Sequence, residues 1–195
     1  SECKIRRVVY SASSSAYGNT TKLPSNEEDS IAPISPYAMQ KYYGEVCCKT
    51  FSEVYGIETV SLRYFNVYGE RQSLDGAYPL VMCVFAKQRL ENKPLTIRGD
   101  GEQRRDFTHV FDIVNGLIKI AMSNKVHRDA WELGTGINYS VNELFSMFNK
   151  KFNAESIFIP DQPGNYKLTL RENDDMLKDL DWKPEDRLED HIDNL

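Results

Sequence analysis

The order of apolar runs and helix signals predicts an α/β protein built on an open parallel sheet. Arg7-Val8-Val9-Tyr10-Ser11-Ala12-Ser13 is apolar and β-branched, then passes into small hydroxyl residues. A buried parallel strand reads this way where its C-terminal end opens into a site. Ser35 and Pro36 are start signals for a long helix and Gly56 is a stop signal. Glu58 to Phe65 follows as a second strand, ending in Arg63-Tyr64-Phe65-Asn66-Val67-Tyr68-Gly69.

Further along, Asp75-Gly76 and Lys93-Pro94 enclose an apolar helix around Leu80 to Leu90, with a short strand at Leu95 to Ile97. A helix over Val110 to Met122 places Val114, Leu117, Ile118 and Ala121 on one apolar face. Trp131 to Leu133 reads as a strand. Ser140 and Glu143 form a capping box ahead of a helix over Leu144 to Phe152. Ser156 to Ile159 is a strand bounded by Pro160, and Met176 to Leu180 is a short helix before Trp182. The glycines of Arg98-Gly-Asp-Gly-Glu-Gln-Arg-Arg-Asp-Phe107 read as a turn.

With 195 residues and 41% hydrophobic content, the chain can fill the cores of one or two domains. A net charge of −5 argues against a nucleic-acid partner and leaves a small anionic ligand as the better match for Arg104-Arg105. Cys3, Cys47, Cys48 and Cys83 have no CxxC or zinc spacing, which points to reduced thiols in a cytoplasmic protein and to no metal. No apolar stretch reaches the roughly 18 residues that span a bilayer. Cys47-Cys48 lies mid-helix, where at least one thiol is expected to face the core.

Chemistry is concentrated near the first helix. Tyr37 and Lys41 stand at i and i+4, so they share one helical face. Free tyrosine titrates near ~10, and a phenol working as a base near neutrality needs a cation beside it, which a lysine one turn away supplies. The same spacing also arises by chance in amphipathic helices. Arg104 and Arg105 can likewise be read as a solvated turn with Asp106, and His109, just before a helix, as a packed or capping side chain.

Taken together, the serine run after the first strand, Tyr37 with Lys41, and Arg63 to Gly69 resemble the extended short-chain dehydrogenase/reductase family. Within it they resemble the nucleotide-sugar 4-epimerases, nearest to those acting on UDP-N-acetylglucosamine and UDP-glucose. The resemblance runs from about Arg6 to Trp182. It implies the C-terminal part of a Rossmann-type doubly wound parallel sheet plus a smaller α/β substrate-binding domain. Residues 1–70 would belong to the NAD-binding part and 71–195 mainly to the substrate part, with a segment near 107–135 returning to the first.

The resemblance further implies a catalytic trio of Ser13, Tyr37 and Lys41, with Ser11, Tyr64 and Phe65 joining Tyr37 and Lys41 beside NAD. It implies a UDP-sugar held by Ser13, Ser14, Asn66, Leu80, Val81, Ile97, Arg105, Lys167 and Thr169. It also implies a homodimer, through a four-helix bundle to which the Tyr37 helix contributes. Thr169 falls at a position that gates the sugar 2-substituent, short here and so open to an acetamido group. Dehydratase relatives carry Asp and Glu after the catalytic hydroxyl. This chain has Ser14 and Ser15, which disfavours elimination. The family's Gly-Asp-x-Arg appears as Gly164-Asn-Tyr-Lys167, which keeps the charge and loses the fork.

Members of the family open with a Gly-x-x-Gly-x-x-Gly turn. Gly99-Asp-Gly101 and Gly134-Thr-Gly136 are the nearest runs here, and neither fits it. The expectation is therefore that an N-terminal part, on the order of 100 residues at a usual βα-unit length, is missing from this sequence and that the chain alone binds NAD weakly. Two other functions remain open at this point: a 4-ketosugar reductase using the same trio, and a nucleotide-sugar-binding module without catalysis.

Overall fold

The computed structural model describes residues 5–19, 31–74, 79–126, 130–171 and 174–195. Asp75, Gly76 and Cys3 lie outside them. The elements run β1 (Val8–Ser13), a single 3-10 turn (Ser14–Tyr17), α1 (Pro36–Tyr55), β2 (Thr59–Tyr64), β3 (Asn66–Tyr68), α2 (Val81–Leu90), β4 (Leu95–Arg98) and β5 (Arg104–His109). Then come α3 (Val110–Met122), β6 (Ala130–Leu133), β7 (Asn138–Ser140), α4 (Val141–Phe152), β8 (Ser156–Ile159), α5 (Asp175–Leu180) and α6 (Leu188–Asp193).

β1, β2 and β6 form a parallel sheet in that order, with Ser13 opposite Tyr64 and Tyr64 opposite Leu133. Their C-terminal ends therefore finish side by side. The crossover from β1 to β2 is α1. Its first turn is closed by the Ser35 hydroxyl, which accepts from the Ala38 amide, and its last by Gly56 at φ 63°, a left-handed conformation that costs glycine least. Gly44 lets α1 lie close on β1, since a Cβ there would come within 2.1 Å of the Tyr10 hydroxyl oxygen.

β3 pairs parallel with β5, and β5 antiparallel with β7. β4 and β8 form a separate parallel pair. One core, around Val60, Leu62, Ile113, Ile120, Trp131, Leu133 and Trp182, lies against the first sheet. The other collects Phe85, Leu95, Ile97, Leu144, Phe148 and Ile192 from α2, β4, α4 and α6. The capping box at the start of α4 is complete, with Ser140 and Glu143 each bonding the other's main chain.

Two expectations need correction, and one alternative falls away. Arg104 and Arg105 are in strand β5, not in a solvated turn, because they pair with Ser140 and Tyr139 of β7. On α3 the buried stripe is Ile113, Gly116 and Ile120, with Leu117 packed partly against it, while Val114 and Ile118 face outward. The helix is apolar almost all round, and the contacts with Trp131, Leu133 and Trp182 decide its rotation. Neither Cys47 nor Cys48 reaches the core. Both are half-buried, because α1 lies here over β1, which is an edge strand among the described residues. The unanticipated elements are β3, β5, β7 and α6 and the 3-10 turn.

Candidate active site

Near the C-terminal end of β1, Lys41 lies beside Tyr37 and reaches the strand that Ser13 closes. Ser13 closes β1 and caps the 3-10 turn, its Oγ accepting from the Ser15 amide at 3.2 Å. That contact uses one lone pair of the hydroxyl and leaves its proton for a ligand. α1 packs along β1 and the 3-10 turn. The Lys41 Nζ donates to the Ser11 carbonyl at 3.0 Å and lies 5.8 Å from the centre of the Tyr37 ring. Tyr37 is 39% exposed in the first turn of α1, accessible to a ligand at the sheet's C-terminal edge.

Beside them, the Ser11 Oγ and Tyr64 hydroxyl lie 3.1 Å apart. Burial pushes the Tyr64 phenol up, with the Ser11 hydrogen bond opposing, so it stays a neutral hydroxyl. A lysine ammonium and two hydroxyls in one cluster match the diol of a ribose, which accepts and donates at adjacent oxygens. This chemistry fits the nicotinamide-ribose end of NAD. Phe65 is buried at 4% exposure and bonds through its amide to the Leu133 carbonyl at 3.2 Å, so it walls the site rather than opening into it.

A strap from Gly164 to Thr169 crosses from β5 to the serine turn. The Tyr166 hydroxyl donates to the Ser15 carbonyl at 3.2 Å, and the Lys167 amide donates to the Asn19 Oδ1 at 3.1 Å. The Thr169 Oγ1 accepts from the Asn66 Nδ2 and the Asp106 amide, each at 3.2 Å. Arg105 bonds the Arg104 carbonyl and the Asn165 Oδ1, both at 2.8 Å. Burial pushes the Arg105 guanidinium down to about 10, with Asp161 and Tyr166 opposing, so the group remains a cation at neutral pH. A half-buried arginine held by neutral acceptors suits an incoming diphosphate. Lys167 is exposed on the same strap.

Asn66, Arg105, Lys167 and Thr169 are thus gathered around one strap. Ser14 is buried in the turn beneath Ser13. Leu80 and Val81 start α2, and Val81 packs on the second core. Ile97 is 1% exposed within that core, so its side chain has no surface left for a base.

Under the strap, Asp106 is fully buried. Its Oδ1 accepts from the Thr135 amide and hydroxyl at 2.9 and 2.8 Å, and its Oδ2 from the Gly136 and Arg171 amides at 2.9 and 3.1 Å. Burial pushes its carboxyl up, and these hydrogen bonds oppose that. The aspartate staples three chain segments together below Arg105.

The ligand-capable atoms of Glu70, His109 and His191 lie within 4.8 Å of one another. His109 Nδ1 accepts the Phe111 amide at 3.3 Å as the cap of α3. Nε2 therefore carries the proton and faces Glu70 Oε2 at 3.5 Å, as a donor rather than a metal ligand.

Sequence reasoning missed the strap contacts of Asn165 and Tyr166. It also passed over the buried ionic group of Arg63, Glu45, Tyr17 and Glu132. The signal for the latter was Arg63 itself, a charge within an otherwise apolar strand, where an arginine requires partners.

A parallel sheet with a serine at the end of β1 and a tyrosine and lysine one turn apart on the crossover helix α1 is the arrangement that the short-chain dehydrogenase/reductase resemblance implies. Over residues 1–134 the chain matches the NAD dependent epimerase/dehydratase family, and it belongs to that family. Solved structures similar to it include the UDP-N-acetylglucosamine 4-epimerase of Methanobrevibacter ruminantium in complex with UDP-N-acetylmuramic acid. That match has 33% identity and a TM-score of 0.88, over 97% of this chain and 61% of the other. The UDP-glucuronic acid 4-epimerase of Bacillus cereus, in complex with UDP-glucuronic acid and NAD, is 32% identical with a TM-score of 0.89, over 97% and 60%. The UDP-glucose 4-epimerase of Thermotoga maritima, solved with UDP-glucose, is 30% identical with a TM-score of 0.89, over 98% and 62%. The chain thus spans about three fifths of the length of the proteins it matches.

Proposed function

We propose that the natural protein epimerises a UDP-hexose at C4 through a transient 4-keto sugar, using NAD. The observation that carries this reading is the position of Lys41, anchored on Ser11 with the Tyr37 ring at 5.8 Å, near the C-terminal end of β1. Ser11, Lys41 and Tyr64, with Phe65 as wall, hold the nicotinamide-ribose end of NAD, which when bound supplies reversible hydride acceptance. Tyr37 takes the proton of the C4 hydroxyl as the C4 hydrogen leaves as hydride, holds it while that carbon is a carbonyl, and returns it to the C4 oxygen once hydride is back on the opposite face of the carbon. Ser13 donates a hydrogen bond to the same oxygen. Arg105 and Lys167 hold the diphosphate, and Asn66, Ser14, Leu80, Val81 and the main chain at Ile97 line the rest of the nucleotide sugar. No carboxylate follows Ser13, so there is no second acid to drive elimination.

The short Thr169 favours a substrate with a 2-acetamido group, which puts UDP-N-acetylglucosamine ahead of UDP-glucose. On this reading residues 1–70 serve NAD and residues 71–195 mainly the sugar nucleotide, with 107–135 returning to the first part. Met39, Tyr43, Val46 and Val54 form an exposed stripe on α1 at helical spacing, which supports a homodimer through that helix. No helix of the described residues is long and apolar enough to cross a membrane. The free thiols of Cys47, Cys48 and Cys83 suit the cytoplasm. Turnover of both UDP-sugars by the natural protein and by its Tyr37→Phe variant tests the reading. Near-normal turnover without the phenol would remove it.

A further inference from the structure

α1 carries more than Tyr37 and Lys41 on its inner face. Glu45 continues the same row, four residues beyond Lys41 and eight beyond Tyr37, and it is buried. Its carboxylate meets Arg63 of β2 in a fork, Nε to Oε1 at 3.0 Å and NH2 to Oε2 at 2.7 Å. The remaining arm of Arg63, NH1, donates to the Tyr17 hydroxyl at 2.8 Å, and the guanidinium lies 4.8 Å from the Tyr17 ring centre. Tyr17 donates in turn to the Glu132 Oε1 of β6 at 2.5 Å. Arg63 is 3% exposed and Tyr17 2%. Burial works against the Arg63 charge, but the hydrogen bonds to Glu45 and Tyr17 and the Glu45 charge outweigh it.

One guanidinium therefore touches both the helix that bears Tyr37 and Lys41 and the turn that begins at Ser13. We propose that Arg63, clamped by Glu45 and Tyr17, is a positioning residue that sets the rotation and height of α1 against the serine turn, so that the Tyr37 phenol meets Ser13 in register. This inference rests on the epimerase reading for its kinetic test only. A buried ion pair is a weak source of stability, since well-packed apolar residues often replace it without loss. It is a strong source of geometry, because a fork between a planar guanidinium and a carboxylate fixes direction as well as distance. The lever is long. With a helix radius of ~2.3 Å plus the tyrosine side chain, a rotation of about 10° would move the phenol oxygen by roughly 1.5 Å. Misplacement on that scale can cost on the order of 10²-fold in rate.

The test compares Glu45→Gln and the double variant Glu45→Met/Arg63→Met with the natural protein. Arg187→Gln serves as control, breaking the ion pair with buried Asp112 in the first turn of α3. Glu45→Gln is expected to lower both melting temperature and kcat. The double variant keeps an apolar, filled space, so its melting temperature should recover while kcat stays at least tenfold down and the KM for UDP-sugar and the Kd for UDP hold. Arg187→Gln should lower melting temperature alone. A double variant with normal kcat, while Tyr37→Phe is inactive, overturns the proposal and leaves the functional reading standing. If Tyr37→Phe is itself active, the functional reading fails and a crystal structure of the double variant decides the positioning role. Loss of the Lys41–Ser11 bond with a displaced α1 supports it, and a superimposable α1 overturns it.

Discussion

Lys41 reaches out of α1 to place its ammonium 3.0 Å from the main-chain oxygen of Ser11, two residues before the serine that ends β1. This contact ties the helix of the proposed base to the strand of its hydroxyl partner. It engages one of three ammonium protons and leaves the others for a ribose or for the phenolate of Tyr37. Lys41→Met should leave the fold intact, since α1 is held by its Ser35 cap and by Arg63, and should reduce turnover by at least ~10²-fold. Circular dichroism with steady-state rates would check it. Turnover within a factor of a few of the natural protein would refute the assigned role.

Arg105 and Arg104 make contrasting predictions. Arg105→Ala should weaken UDP binding by roughly 1.5 to 3 kcal/mol, the range for hydrogen bonds to charged groups, or about 10- to 150-fold in Kd. Arg104 is already committed to Asn138 and to Glu143 in the cap of α4. Arg104→Ala should therefore lower melting temperature and change the UDP Kd far less. Calorimetric titration with UDP distinguishes the two, and an unchanged Kd for Arg105→Ala would remove the diphosphate assignment.

Much of this site was legible because its signals are local. Ser35, Pro36 and Gly56 bound α1, and Ser140 with Glu143 bounds α4, each through contacts within a turn or two of sequence. β5 was not legible. Arg104, Arg105, Asp106 and His109 are polar, and their strand conformation depends on β3, β7 and on donors near 135 and 171 that bond Asp106. The strap escaped for the same reason, since Tyr166 finds its partner at Ser15, 151 residues away. On α3 periodicity alone could not choose a face, because both sides are apolar and the buried tryptophans decide.

The C-terminal helix carries a pH response. Burial, and then His109, pulls the His191 imidazole below its usual value, with Glu70 opposing. The folded state therefore favours neutral His191, while the unfolded chain takes up a proton near ~6.5. The contribution is complete above that pH and is lost as pH falls toward the lower folded value, where the unfolded state binds more protons. Melting temperature should drop between about pH 6.5 and 5, and His191→Gln should flatten the drop. An equal slope in the variant would assign the acid sensitivity elsewhere.

Thr169 tests substrate choice. Its hydroxyl receives hydrogen bonds from Asn66 and from the Asp106 amide, so Thr169→Tyr changes both bulk and bonding. Thr169→Val removes the hydroxyl acceptor at nearly constant volume and separates the two effects. If bulk gates the sugar, Thr169→Tyr suppresses turnover of UDP-N-acetylglucosamine while largely sparing UDP-glucose, and Thr169→Val leaves their ratio unchanged. Equal losses on both substrates in Thr169→Tyr would place the gate elsewhere.

In the proposed reaction the C4 hydrogen leaves the sugar and returns to it within one turnover. The most direct measurement gives the natural protein UDP-N-acetylglucosamine deuterated at C4 and follows the product by NMR, with nicotinamide absorbance recorded in parallel. The expected product is the C4 epimer with its deuterium retained at C4, with no net reduction of NAD. Stoichiometric formation of reduced nicotinamide, or a C4 epimer carrying solvent hydrogen at that carbon, would contradict it.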